Sequence, residues 1–245
     1  MPVLDVKEGL AVHAVAGRRE NYQPVKSWLH LTPDPLGLAQ AFEAAYGFRE
    51  LYMADLDAIQ CKPPNLRLLS EISGSTSLSL MVDGGFRRLE EAEAFLRAGA
   101  SKAVFGTETL PSLSLLKEAL ERFGEGRVTA SLDLFKGRVL AADESLRRLK
   151  PLEAAERLEG LGVGELILLD LARVGVGGGV DFRLVESLTQ TFHGSLLVGG
   201  GVRGLGDLKL LRSLGVSGVL LATALHEGKI RPKQLFEEGF LCWKP

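Results

Sequence analysis

Asp5 and Asp133 are the residues whose type and setting point most directly to chemistry. Each sits in the same short pattern, Leu4-Asp5-Val6-Lys7-Glu8-Gly9 and Leu132-Asp133-Leu134-Phe135-Lys136-Gly137, 128 positions apart. Two carboxylates that face each other across a pocket can divide acid and base work when their surroundings push their pKa values apart. A single aspartate at a strand end is as readily a turn cap. The duplication favours catalysis, because two turn caps have no need to stand opposite one another.

The glycines suggest what flanks those acids. Gly84-Gly85 and Gly200-Gly201 each follow an apolar run and lead into a helical pattern. Glycine there lets backbone N–H groups approach an anion, and the helix start adds a favourable dipole. Gly106-Thr107 and Ala222-Thr223 end the next runs, so their amides and hydroxyls could complete each cradle. Two such rims with two carboxylates between them suit a substrate carrying a phosphate at each end. The plainer reading is that the glycines only permit tight turns.

Other charged residues are less decided. Asp55 and Asp170 could orient substrate hydroxyls or pair with Arg87, Arg173 or Arg203; Asp55 is read as structural and Asp170 stands between the two. Arg18, Arg19 and Arg173 bring fixed positive charge towards the mouth, where a phosphate or carboxylate could be held, or they are solvated loop charges. The run Gly175-Val176-Gly177-Gly178-Gly179 could fold over a bound molecule as a lid. His13, His30, His193 and His226 fit no metal spacing. Proton transfers suffice for chemistry of this kind, so neither a metal nor a redox cofactor is expected.

The elements that must position these residues alternate along the chain. Short apolar runs fall at Val3–Val6, Glu50–Ala54, Leu78–Val82, Ala103–Phe105, Val128–Leu132, Glu165–Leu169, Ser195–Val198 and Val219–Leu221. Apolar on both faces, they read as strands of a covered parallel sheet. Helical spacing lies between them, as in Leu89, Ala92, Phe95 and Leu96, or Leu113, Leu116, Leu120 and Phe123. Eight strand–helix pairs without a long linker predict one α/β domain, a (β/α)₈ TIM barrel. Further matches support a doubled architecture: Asp55 with Asp170, Arg87 with Arg203, and Thr107 with Thr223, at offsets of 115, 116 and 116. The expected half-barrels are residues 1–123 and 124–237.

Composition removes several classes. The 245 residues are 46% hydrophobic and 24% charged with a net charge of −2, a globular balance that does not suggest nucleic-acid binding. No apolar run is long enough for a membrane span. Cys61 and Cys242 form no motif, which suits a reducing compartment, and a cytoplasmic location is expected.

With these motifs in place, the chain resembles the HisA/HisF family of histidine-biosynthesis barrels over nearly its whole length. The resemblance is carried by Leu4-Asp5 through Gly9, Leu51 through Asp57, Asp83-Gly84-Gly85-Phe86-Arg87, Gly106-Thr107, Asp133, Gly199 through Arg203 and Ala222 through Leu225. It implies an Amadori rearrangement of an aminoaldose to an aminoketose on a phosphorylated ribosyl compound. Asp5 is then the general base and Asp133 the general acid, with the phosphates on the two glycine-bearing rims.

The chain departs from the family in its loops. It reads Leu171-Ala172-Arg173-Val174-Gly175 where Asp-Gly-Thr is usual, Gly199 where serine is usual and Ala222 where glycine is common. With Ala14-Val15-Ala16-Gly17-Arg18-Arg19, these features are similar to a divergent subgroup found in organisms that use tetrahydromethanopterin. Two alternatives remain beside the isomerase: a HisF-like cyclase or lyase, and a non-catalytic barrel that keeps the phosphate cradles.

Overall fold

The computed structural model describes residues 1–241; Cys242 and Trp243 of the C-terminal segment lie outside them. Eight parallel strands run in chain order as β1 (Val3–Lys7), β2 (Glu50–Asp55), β3 (Ser79–Asp83), β4 (Lys102–Gly106), β5 (Val128–Phe135), β6 (Glu165–Asp170), β7 (Ser195–Gly199) and β8 (Gly218–Leu220). A parallel bridge from Pro2 to Leu221 joins β8 back to β1, with Val3 N–H bonded to Leu221 O at 2.9 Å and Leu221 N–H to Met1 O at 3.0 Å. The sheet is therefore closed, and the fold is the TIM barrel expected from the alternation.

Eight helices cover the outside: α1 (Pro35–Tyr46), α2 (Leu66–Ser75), α3 (Leu89–Arg97), α4 (Leu113–Phe123), α5 (Pro151–Glu159), α6 (Phe182–Thr191), α7 (Leu205–Ser213) and α8 (Pro232–Glu237). Their sequence signals are local. In α4 the Ser112 side chain accepts from Leu115 N–H, and Leu113, Leu116, Ala119 and Leu120 form the buried stripe. In α1 Asp34 caps a helix that starts on Pro35 and stops at Gly47 in the left-handed region.

Strand parity decides which side chains enter the barrel. On every strand alternate residues pack outward under the helices, as do Leu4 and Val6, Leu51 and Met53, Leu80 and Val82, and Leu132 and Leu134. The residues between them point inward, including Tyr52, Ala54, Met81, Val104, Ile167 and Leu197. Asp5, Asp83 and Asp133 carry the inward parity. Asp55 and Asp170 carry the outward one. At the N-terminal ends of the strands, Lys102 bonds Glu165 at 2.8 and 2.9 Å and Thr129 donates to the same carboxylate at 2.6 Å, so a polar plug fills that end.

Three short strands were not anticipated. Leu10–His13 folds back antiparallel on β1, Gln23–Pro24 pairs with it, and Arg138–Val139 folds back on β5. Their two-residue turns, Glu8-Gly9 and Lys136-Gly137, have positive φ at both positions, between 53° and 77°. That is the turn chemistry of a tight hairpin, and it gives the repeated Asp-x-x-x-Gly pattern its geometry. The glycine makes the turn, leaving the aspartate on an inward position four residues before it. Registers match as well: Asp5 pairs with Ala54 and Asp133 with Leu169, while Asp83 pairs with Val104 and Gly199 with Leu220.

Candidate active site

The cavity at the C-terminal ends of the strands has a volume of about 290 Å³ and is lined by Asp5, Asp83, Asp133, Glu108, Arg19, Tyr22 and Tyr52 on one side. The turn Gly199–Val202 and the segment Leu220–Ala224 line the other. Asp133 is 4% exposed, so its carboxylate must be satisfied by protein donors. Ser131 hydroxyl donates to Oδ1 at 2.7 Å, and Glu108 N–H donates to Oδ2 at 2.9 Å. Thr107 hydroxyl receives the Asp133 N–H at 2.9 Å and itself donates to Leu140 O at 2.9 Å.

Burial nevertheless dominates the electrostatics. It pushes Asp5 up to about 7, opposed by the Arg19 guanidinium and aided by the charge of Asp83. It pushes Asp133 to about 7, opposed by the Glu108 amide and the Ser131 hydroxyl and aided by Asp83 and Glu108. Asp83 rises to about 6 for the same first reason, its Oδ1 accepting from Gly85 N–H at 2.8 Å. Three carboxyls thus titrate together near neutrality, the condition for passing protons both ways. Tyr52 hydroxyl, kept protonated well above its usual range by burial, reaches Asp83 Oδ2 at 3.5 Å.

Arg19 is the sequence-predicted arginine that lines the cavity, but it is already engaged. It forms a two-pronged ion pair with Glu108, at 2.8 and 2.5 Å. Arg18 is exposed on the same loop and does not line the cavity. Asp170 and Arg173 also stand outside the lining: Arg173 Nε bonds Asp170 Oδ2 at 2.8 Å and Nη1 bonds Gly179 O at 2.9 Å. Outward parity explains this, and these bonds anchor the loop after β6. Asp55 is fully buried and accepts from Ala58 N–H, Asn65 N–H and the Asn65 amide.

The two expected phosphate rims differ. Gly200, Gly201, Ala222 and Thr223 all line the cavity. Gly200 and Gly201 have φ of +90° and +88°, and a Cβ would fall 2.7 Å from Asp170 O or 2.5 Å from Gly179 O, so only glycine builds this turn. Among the described residues the N–H groups of Gly200, Gly201, Val202, Thr223 and Ala224 have no protein acceptor. Gly84, Gly85, Gly106 and Thr107 do not line the cavity at all. Gly84 is walled by Phe86 and Phe95, Gly85 lies against Ile59, and Gly85 N–H and Thr107 N–H are spent on Asp83 and Ser131 O. Gly106 is instead a spacer. A Cβ there would meet Asp133 Oδ2 at 3.0 Å and Asp83 Oδ2 at 3.4 Å. Gly106→Ala is expected to fold but to lower turnover about tenfold to a hundredfold by displacing the Asp133 carboxylate; unchanged kcat would show that its placement is not critical.

The loop after β6 crosses the mouth. Leu171, Val174, Gly175, Val176 and Gly177 line the cavity, Ala16 N–H bonds Val174 O at 2.8 Å, and Gly179 N–H bonds Gly201 O at 3.1 Å. Asp83, Glu108, Tyr22 and Tyr52 were not singled out from sequence as site residues. Inward parity would have found Tyr52 and Asp83. Among the described residues, no three His, Cys, Asp or Glu side chains are grouped to hold a metal ion, and no helix is long and apolar enough to cross a membrane.

Residues 1–231 match the histidine biosynthesis protein family. The chain belongs to this family. An uncharacterized protein of Methanocaldococcus jannaschii is 30% identical over 242 residues, covering 97% of each chain. Relatives from Syntrophomonas wolfei, 29% identical over 94% of this chain and 93% of theirs, and from Thermus thermophilus, 31% identical over 96% and 97%, are named as isomerases. Both are named for a substrate that is an imidazole-4-carboxamide carrying two 5-phosphoribosyl groups. Kinship of this extent places the chain among HisA-type enzymes of the isomerase class.

Proposed function

We propose that this histidine-biosynthesis-family barrel is an aldose–ketose isomerase acting on a phosphorylated ribosylamine. The observation that carries the reading is the pairing of Asp5 and Asp133, inward-facing on opposite strands of one cavity and both poised near pH 7. The glycine turn after β7 holds the sugar phosphate by its N–H groups. Protonated Asp133 gives its proton to the ring oxygen as the C1–O bond breaks, leaving an iminium at C1. Asp5 carboxylate removes the proton from C2, and the enolamine that forms tautomerises to the ketose. Arg19 beside Asp5 favours the ionised base, and the carboxylates of Asp83 and Glu108 near Asp133 favour the protonated acid. Every step is a proton transfer, so the chain's own carboxyls supply the chemistry.

The test follows the C2 proton. N-substituted ribosylamine 5-phosphates incubated with the protein in D₂O should lose the C2 proton and give an aminoketose labelled with deuterium at C1, read by proton NMR, and Asp5→Asn should abolish that labelling. A panel that stays unlabelled, or labelling that survives Asp5→Asn, overturns the reading. The pathway served is histidine biosynthesis or a tetrahydromethanopterin-linked one-carbon route, the latter favoured by the altered loops after β1 and β6. Growth of a histidine auxotroph lacking the isomerase separates the two.

A further inference from the structure

The four glycine-rim positions of the second half line the cavity, and the four of the first half do not. What lines the first-half side instead is acidic: Asp83 and Glu108, with Asp5 and Asp133 beside them. The one cation among these residues, Arg19, has its guanidinium closed on the Glu108 carboxylate. Arg87, the counterpart of Arg203, is turned away and spends Nη1 on Gly85 O at 2.8 Å and Nη2 on Ile59 O at 3.0 Å. Donors are scarce there as well. Gly85 and Glu108 N–H serve the carboxylates of Asp83 and Asp133, while Thr107, Thr109 and Leu110 N–H serve backbone carbonyls. A second phosphate would meet carboxylates and few free donors.

We infer that the cavity takes a substrate with a single phosphate, seated on the β7–β8 rim, whose far end is uncharged or amino-bearing and lies against Asp83 and Glu108. The inference deepens the isomerase reading and rests on it only for the phosphate at β7–β8. It departs from the relatives whose named substrate bears two phosphoribosyl groups. The reason is a like-charge clash at one rim, which discriminates between substrates without any new attraction.

A matched pair of probes tests it by calorimetric titration of the full chain. One is the imidazole carboxamide with both phosphoribosyl groups; the other is the same compound with the phosphate removed from the imidazole-side ribose. The singly phosphorylated probe is expected to bind about tenfold more tightly or better, at one molecule per chain. Glu108→Gln, which unties Arg19 and removes a negative charge, should narrow that gap through tighter binding of the doubly phosphorylated probe. Equal or stronger binding of the doubly phosphorylated compound by the unaltered chain overturns the inference and leaves the isomerase reading standing. Binding of neither compound overturns it too, because the β7–β8 seat is then absent. Absence of the C1 deuterium label with the single-phosphate preference intact overturns the isomerase reading alone.

Discussion

Asparagine at Asp5 or at Asp133 is expected to lower turnover by about 10²–10⁴-fold, the usual worth of a positioned proton-transfer group. The substitution keeps the shape of each side chain and most of its hydrogen bonds. At Asp133 the Glu108 N–H, 2.9 Å from Oδ2, keeps its acceptor in the amide oxygen, and the Ser131 hydroxyl, 2.7 Å from Oδ1, can turn to accept from the amide NH₂. What disappears is the exchangeable proton near neutral pH. KM should therefore move far less than kcat, because the phosphate is gripped on the opposite rim. The double variant should be little worse than either single one, since the two acids act in a single sequence of transfers. A variant that keeps turnover within about threefold of the parent would remove its residue from the mechanism.

The same substitutions should make the protein more stable in alkaline solution. Folding raises Asp5 and Asp133 from 3.8 to about 7. Below pH 3.8 both the folded and the unfolded chain hold these protons, so the carboxyls cost nothing. As pH rises towards 7 the unfolded chain releases its protons first while the folded chain retains them, and stability falls. Above 7 the penalty is complete and constant. Three pKa units correspond to about 4 kcal/mol for an isolated group; shared between neighbouring acids, about 2–3 kcal/mol per substitution is expected. For a chain of this size that raises Tm by about 5–10 °C at pH 8, with parent and variant coinciding near pH 4. A Tm gain that did not depend on pH would point to packing and not to ionisation. Such a gain paired with lost turnover is the exchange of stability for function expected where charge is held in a buried site.

The barrel was legible because its evidence is periodic and repeated. All eight runs read as strands are strands, within a few residues, and the doubled Asp-x-x-x-Gly pattern falls on equivalent hairpins after β1 and β5. The hairpin partners were missed because Leu10–His13 and Arg138–Val139 are too short to show their own period. The site was legible only in part, for a specific reason. Motif matching treats Gly84-Gly85 and Gly200-Gly201 as equals, yet whether an amide is free depends on who occupies it. Asp83 takes Gly85 N–H at 2.8 Å, a contact no spacing rule announces. Asp170 and Arg173 could have been sorted by counting strand parity, which turns Asp170 outward while keeping Asp83 inward. The Arg19–Glu108 ion pair joins residues 89 positions apart, and nothing local to either one foretells it.

The bond between Ala16 and Val174 ties two loops from different sides of the ring over the entrance, and Gly175 packs so closely there that a methyl group would strike Ala14 O at 2.0 Å. A molecule that enters or leaves past this side of the mouth is therefore expected to move against this clasp. Residence time, for reactant and product alike, is then expected to depend on two short peptide segments as well as on the acids beneath them.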